Sequence, residues 1–108
     1  MKIILVCSAG MSTSMLVKKM KASADERNLE VNIEAVAESQ LKNNLENLDV
    51  VLIGPQVRYL EKKIREQVEP RGIKVDIIDQ LAYGMIQGDK VLDQAIHLNN
   101  KYLKAACL

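Results

Sequence analysis

A thiol, a small-residue turn and three hydroxyls stand together near the start of the chain, in Cys7-Ser8-Ala9-Gly10-Met11-Ser12-Thr13-Ser14. The stretch follows the apolar run Ile3-Ile4-Leu5-Val6 and precedes a helical pattern. A strand end, a short loop and a helix start aim several backbone N–H groups and the positive end of a helix dipole at one point, which favours an anion there. The same field favours thiolate over thiol at Cys7 and makes it a nucleophile. Ser12, Thr13 and Ser14 can cap the helix or donate to a bound oxyanion, although capping needs only one of them. A small buried cysteine at a strand end is the competing reading. An anion-binding loop that opens on a nucleophile points to covalent chemistry on phosphate, with Cys7 as nucleophile and Ser8, Ala9, Gly10, Met11, Ser12, Thr13 and Ser14 as the phosphate-binding loop.

The rest of the composition narrows the field. A chain of 108 residues, 48% hydrophobic and 27% charged, is expected to form one soluble globular domain over 1–108. Phe and Trp are absent and Tyr occurs three times, so the core is aliphatic and stacking on nucleic-acid bases is disfavoured. A formal net charge of +1 gives no basic field for nucleic acid or anionic lipid. Lys18, Lys19 and Lys21 read as a solvated helix face. No apolar run approaches the roughly 20 residues that cross a bilayer, and Met1-Lys2-Ile3 reads as a first strand rather than a signal peptide, so a cytoplasmic location without direct membrane insertion is expected. Cys7 and Cys107 lie at opposite ends of the chain without a CxxC. The single His97 sits in a helical pattern with no ligand cluster, so no metal site is expected. Cys107 reads as incidental.

Two continuous apolar runs, Ile3–Val6 and Val50–Ile53, have the pattern of interior strands covered on both faces. Val31, Ile33, Ala35 and Ala37 alternate with polar residues, as do Val75 and Ile77 beside Asp76, and these read as edge strands. Helical spacing links Met15, Leu16, Met20 and Ala24, with Asn28 as a stop. It also links Leu41, Leu45 and Leu48 from about Ser39, and Val57, Leu60, Ile64 and Val68 ahead of Pro70. A short apolar segment runs from Leu81 to Ile86, and Asp89 is read as the cap of a last helix carrying Val91, Leu92, Ala95 and Ile96. The alternation predicts an α/β fold: an open parallel four-stranded sheet in the order 2-1-3-4, with helices on both faces and a phosphate loop after the first strand. Its switch point lies between strands one and three, which places Cys7 and Gly54-Pro55-Gln56 on one rim, with Asp79, Gln80 and Tyr83 arriving after strand four.

A thiolate in a phosphate loop on such a sheet suggests a low-molecular-weight tyrosine phosphatase. That chemistry wants an Arg where this chain has Thr13, and the loss of a bidentate clamp on the transferring phosphoryl group costs orders of magnitude in rate. No Asp-Pro pair supplies the general acid either, since Glu69-Pro70 belongs to the far end of the third helix. The three motifs Cys7–Ser14, Leu52-Ile53-Gly54-Pro55-Gln56 and Asp79-Gln80-Leu81-Ala82-Tyr83-Gly84 together resemble the lactose/cellobiose/chitobiose-type enzyme IIB components of the bacterial sugar phosphotransferase system, over nearly the whole chain. The resemblance implies that Cys7 becomes a phosphocysteine. It would take its phosphoryl group from a phosphohistidine on the IIA component and pass it to a disaccharide bound by the membrane-embedded IIC component, to which the chain would be peripheral. No nucleotide, metal or other cofactor is implied. Gln56 and Tyr83 fall on the rim as partner-contact residues, against the plainer readings of a turn residue and a core-edge residue. Two competing classes remain open at this point: a phosphatase or arsenate-reductase-like thiolate enzyme, and a flavodoxin-like binding module in which Cys7 is merely buried.

Overall fold

Apolar runs without a polar break must be covered on both faces, and in the computed structural model of the chain the two such runs lie side by side at the centre of the sheet. The described residues are 1–7 and 11–107, with 11–13 and 100–107 described by their backbone alone. Strands β1 (Lys2–Val6), β2 (Asn32–Val36), β3 (Val50–Ile53) and β4 (Lys74–Ile77) are all parallel, in the order β2-β1-β3-β4. Helices α1 (Met11–Glu26), α2 (Glu38–Leu41) and α3 (Glu61–Val68) make the crossovers, and α4 (Gln80–Gly84) and α5 (Gly88–Cys107) follow β4.

Alternation along the central strands divides the core in two. Ile3, Leu5, Val50 and Leu52 pack with Leu16 and Met20 of α1 and Val91, Leu92 and Ala95 of α5. Ile4, Val6, Val51 and Ile53 pack on the other face with Leu41 of α2 and Ile64 and Val68 of α3. The sheet is thus covered by helices on both sides. At the edges β2 buries Ile33 while Asn32 and Glu34 are exposed, and β4 buries only Val75, as edge strands do.

Four boundaries differ from the sequence reading. Helix α1 begins at Met11, so Ser12, Thr13 and Ser14 lie inside its first turn and their backbone is helical. It ends where Asn28 takes the left-handed conformation, φ 56°, which asparagine tolerates better than most residues. The third helical pattern is not one helix: Pro55–Leu60 is a 3-10 segment, Val57 leaves helical geometry at φ −116° and ψ 25°, and α3 starts only at Glu61. A tight turn directly after β3, with Val57 N–H donating to the Gly54 carbonyl at 3.0 Å, leaves no room for an α-helical start. Asp89 does not cap the last helix, because α5 begins one residue earlier at Gly88. Asp89 sits in its first turn, where a carboxylate still complements the dipole. Leu41 and Leu48 are buried as expected, but that helix breaks into α2 and a 3-10 turn, Lys42–Asn44.

The start of α5 is pressed against the middle of α1. A Cβ on Gly88 would stand 2.6 Å from the backbone carbon and Cβ of Lys19 and from the backbone nitrogen of Met20. Arg27, in the turn just after α1, pairs with Asp93 of α5 farther along the same contact. Alanine in place of a helical glycine normally gains up to about 1 kcal/mol, whereas overpacking costs about 1–3 kcal/mol, and here the opposing atoms are mostly backbone. Gly88→Ala is therefore expected to lower the unfolding free energy by about 1–2 kcal/mol in a urea titration. A variant as stable as the parent or more so would contradict so close an approach.

Candidate active site

The rim formed by the carboxyl ends of the strands is built on two main-chain hydrogen bonds. Cys7 N–H donates to the Val36 carbonyl of β2 at 3.4 Å, and Gly54 N–H donates to the Val6 carbonyl at 2.8 Å. The first residue past β1 is thus tied to β2 on one side, and the residue before it to β3 on the other. Ile3, Leu5 and Cys7 point to the same face by strand alternation, and Cys7 belongs to the core cluster under α1 and α5. Its relative exposure is 6%, so the residue is nearly closed off from solvent, as the competing reading of a small buried cysteine also expects. Three residues separate it from the first residue of the sixteen-residue α1.

Gly54 decides the geometry beside the sulfur. A Cβ there would lie 3.0 Å from Cys7 Sγ, 2.9 Å from Gln56 Oε1 and 3.4 Å from the Val6 carbonyl oxygen. Its backbone angles, φ −62° and ψ 141°, suit any residue. Glycine is needed for room and not for conformation. The thiol and the Gln56 carboxamide therefore lean against the same Cα. The other end of that carboxamide is anchored too, since Gln56 Nε2 donates to the Tyr83 hydroxyl at 2.9 Å.

Tyr83 arrives on α4, a five-residue helix fixed at its start by Asp79. Asp79 Oδ2 accepts from Ala82 N–H at 3.0 Å, and the Asp79 carbonyl accepts from Tyr83 N–H at 2.9 Å. Behind Asp79 stands Gln94 of α5, whose Oε1 accepts from Asp79 N–H at 3.2 Å. Gln56 and Tyr83, paired only by their place on the rim in the sequence reading, are joined directly. Gln94 was not singled out there, although a signal existed: a polar residue stands within the stripe Val91, Ala95, Leu98 that α5 turns to the core.

Of the remaining expected site residues, Ser8, Ala9 and Gly10 lie outside the described residues, and Met11, Ser12 and Thr13 are described as backbone in the first turn of α1. Ser14 is exposed and borders a hollow between α1 and β2 together with Met15 and Ile33. Met15, Tyr59 and Leu81 are exposed apolar side chains at 51, 76 and 65%, carried by elements that start at this rim. His97 is exposed on α5, and Cys107 is described by its backbone alone. Among the described residues no group of three or more His, Cys, Asp or Glu side chains could hold a metal ion, and no helix is long and apolar enough to cross a membrane.

Comparison with known proteins bears on what this rim does. Residues 2–94 match the family described as "PTS system, Lactose/Cellobiose specific IIB subunit". The chain is 43% identical over 97 residues to the oligo-beta-mannoside-specific EIIB component of Bacillus subtilis, covering 90% of this chain and 94% of the relative. It is 40% identical over 103 residues to the galactose-specific EIIB component of Lactococcus lactis subsp. cremoris, covering 91 and 95%. Among solved structures, that of the cellobiose-specific phosphotransferase IIB component of Borrelia burgdorferi superposes with a TM-score of 0.78 at 44% identity, covering 94% of this chain and 93% of that one. Fold and length agree, and the chain belongs to the lactose/cellobiose-specific IIB family of the sugar phosphotransferase system, whose members are phosphotransferase components.

Proposed function

We propose that Cys7 carries the phosphoryl group. The observation that carries this reading is the position of its sulfur: at the end of an interior strand, at the switch point of the sheet, beside Gly54 and with three residues between it and α1. In the first half-reaction the Cys7 sulfur attacks phosphorus on a phosphohistidine of the IIA component. An S–P bond forms, the N–P bond breaks, and the imidazole nitrogen leaves with the electron pair and takes a proton. In the second half-reaction a hydroxyl of a disaccharide held by the IIC component attacks the same phosphorus. An O–P bond forms, the S–P bond breaks, and the hydroxyl proton passes to the departing sulfur or to solvent.

Retention of the group between these steps depends on binding without activating water. The amides that open α1 and the loop residues Ser8, Ala9, Gly10, Met11, Ser12, Thr13 and Ser14 are proposed to hold the dianion, a role for main-chain donors and hydroxyls in place of a cation. Thr13 at the position of a phosphatase arginine leaves the trigonal phosphoryl group unclamped, which disfavours hydrolysis. Cys7 as a residue is exposed at only 6%, which also leaves little room for water. Docking must be transient at both partners, which suits a small interface with an apolar centre. Gln56 and Tyr83 are proposed as contact residues there, with Tyr59 and Leu81 as exposed apolar neighbours. The proteins named for oligo-beta-mannosides, galactose and cellobiose are similar to this chain to nearly the same degree, 43, 40 and 44%, yet carry different sugars in their names. That fits a chain that does not itself select the sugar. We assign it to the cellobiose/chitobiose/lactose class of disaccharides and to the cytoplasmic face of the membrane, attached through IIC, with 1–108 acting as one IIB domain.

Two outcomes are expected. Incubated with phosphoenolpyruvate, the general phosphotransferase proteins and a matching IIA, the chain gains the mass of one phosphoryl group, and Cys7→Ser gains none that survives isolation. Partner-free turnover of p-nitrophenyl phosphate would instead support the phosphatase. Gly54→Ala pushes a methyl group into the space shared by the sulfur and the Gln56 carboxamide. It is expected to slow phosphoryl transfer from IIA on the order of 10- to 100-fold, because small misplacements of reacting groups are costly, in a variant whose circular dichroism shows that it remains folded. Unchanged transfer kinetics would show that the contact is not part of the site.

A further inference from the structure

Strand β4 is an edge, and the outward backbone groups at its end are met by side chains. Lys74 N–H and Ile78 N–H donate across to Asp49 and Ile53 carbonyls at 3.0 and 2.8 Å. The alternation of a parallel ladder therefore turns the backbone groups of Ile77 and Asp79 away from β3. Asp76 Oδ1 accepts from Ile77 N–H at 2.8 Å. The Ile77 carbonyl accepts from Gln94 Nε2 at 2.7 Å, and Asp79 N–H donates to Gln94 Oε1 at 3.2 Å. In a parallel ladder one residue donates to a neighbouring strand's carbonyl and accepts from the amide two residues farther on. The Gln94 carboxamide does both, and so stands in for one residue of a fifth strand. Its Nε2 also donates to Asp76 Oδ2 at 2.9 Å.

What this clamp holds is the start of α4. A helix of five residues does not hold its place by its own hydrogen bonds, so its position follows from its anchors. Asp79 is the anchor at its amino end. From there the connection runs through Tyr83 to Gln56 and to the Gly54 Cα that both Gln56 Oε1 and Cys7 Sγ face.

We propose that Gln94 is a positioning residue for phosphoryl transfer: by holding Asp79 it sets α4, and through α4 it keeps the Tyr83–Gln56 pair beside the Cys7 sulfur. The inference rests on the reading of Cys7 as the phosphoryl carrier. Gln94 itself touches no reacting atom, and a carboxamide that merely closed a sheet edge would influence stability alone.

The test compares the full chain with Gln94→Met, which has similar bulk but neither donor nor acceptor at that place. Two quantities are read: the NMR resonances of the Gln56 side-chain NH2 in the unphosphorylated protein, and transfer kinetics from phosphorylated IIA. In Gln94→Met the Gln56 resonances are expected to move and the saturating rate to fall on the order of tenfold, with the KM for the donor rising as well because the displaced pair also meets the donor. A lower melting midpoint with Gln56 resonances and rate unchanged would overturn the inference and leave only an edge clamp. Should Gln94→Met fail to fold, Tyr83→Phe removes the same link without touching the clamp. It is expected to lower the saturating rate at unchanged stability, and parental kinetics in that variant would overturn the inference. Absence of a phosphoryl group on Cys7 of the parent chain would overturn the functional reading and this inference together, whereas equal rates in the parent and a folded Gln94→Met would overturn this inference alone.

Discussion

Everything at the rim depends on how closely β1 and β3 run together at their carboxyl ends. The Val6 carbonyl and Gly54 N–H meet at 2.8 Å, and the space beside the Gly54 Cα is shared between a sulfur and a carboxamide oxygen. The closeness is sustained by the core. Ile3 to Val6 and Val50 to Ile53 are fully buried, and a slip of one residue in either strand would exchange the side chains facing α5 for those facing α3. The register of the two strands is therefore strongly specified. With it comes the direction of Cys7, since a residue that follows Ile3 and Leu5 at the same parity must point to the face that also receives α4.

From that parity the division of labour across the sheet follows. The α2 and α3 face is packing, with Leu41, Ile64 and Val68 closing it. The α1, α4 and α5 face combines packing with the proposed chemistry. Here α1 brings the amides of its first turn, α4 brings Tyr83, and α5 supports α4 from behind through Gln94. A phosphoryl carrier must bind its cargo firmly enough to keep it from water and loosely enough to release it to a second partner. Fixed main-chain dipoles and hydroxyls on a rigid sheet meet that need better than a guanidinium, which would stabilise the planar phosphoryl transition state of hydrolysis as readily as that of transfer.

Much of this was legible in the residue types. The contrast between unbroken apolar runs and alternating ones distinguishes interior from edge strands, and with right-handed crossovers it yields the order 2-1-3-4 that the structure has. The same order puts Cys7 beside Gly54, and the resemblance carried by Cys7–Ser14, Leu52–Gln56 and Asp79–Gly84 agrees with the family that the chain matches. Less legible were features set by close contact between distant segments. Val57, Leu60, Ile64 and Val68 share a helical face, but the tight turn that Val57 N–H closes on the Gly54 carbonyl delays the α-helix to Glu61. Asp89 resembles a cap, yet α5 already starts at Gly88, the residue pressed against Lys19 of α1. The bond between Gln56 and Tyr83 joins residues far apart in the chain, and no local pattern encodes it. Gln94 left a faint mark, a polar side chain in an otherwise apolar stripe. Only the exposed backbone of an edge strand explains its presence.

The central claim concerns one sulfur, and phosphorus NMR of the chain after reaction with phosphorylated IIA examines it most directly. The account predicts a single new resonance in the phosphorothiolate range, well removed from that of phosphohistidine, that returns to the baseline when IIC-containing membranes and a β-linked disaccharide are added. A phosphorus signal from a hydroxyl ester or from His97, or a phosphorothiolate that persists in the presence of membranes and sugar, would contradict it.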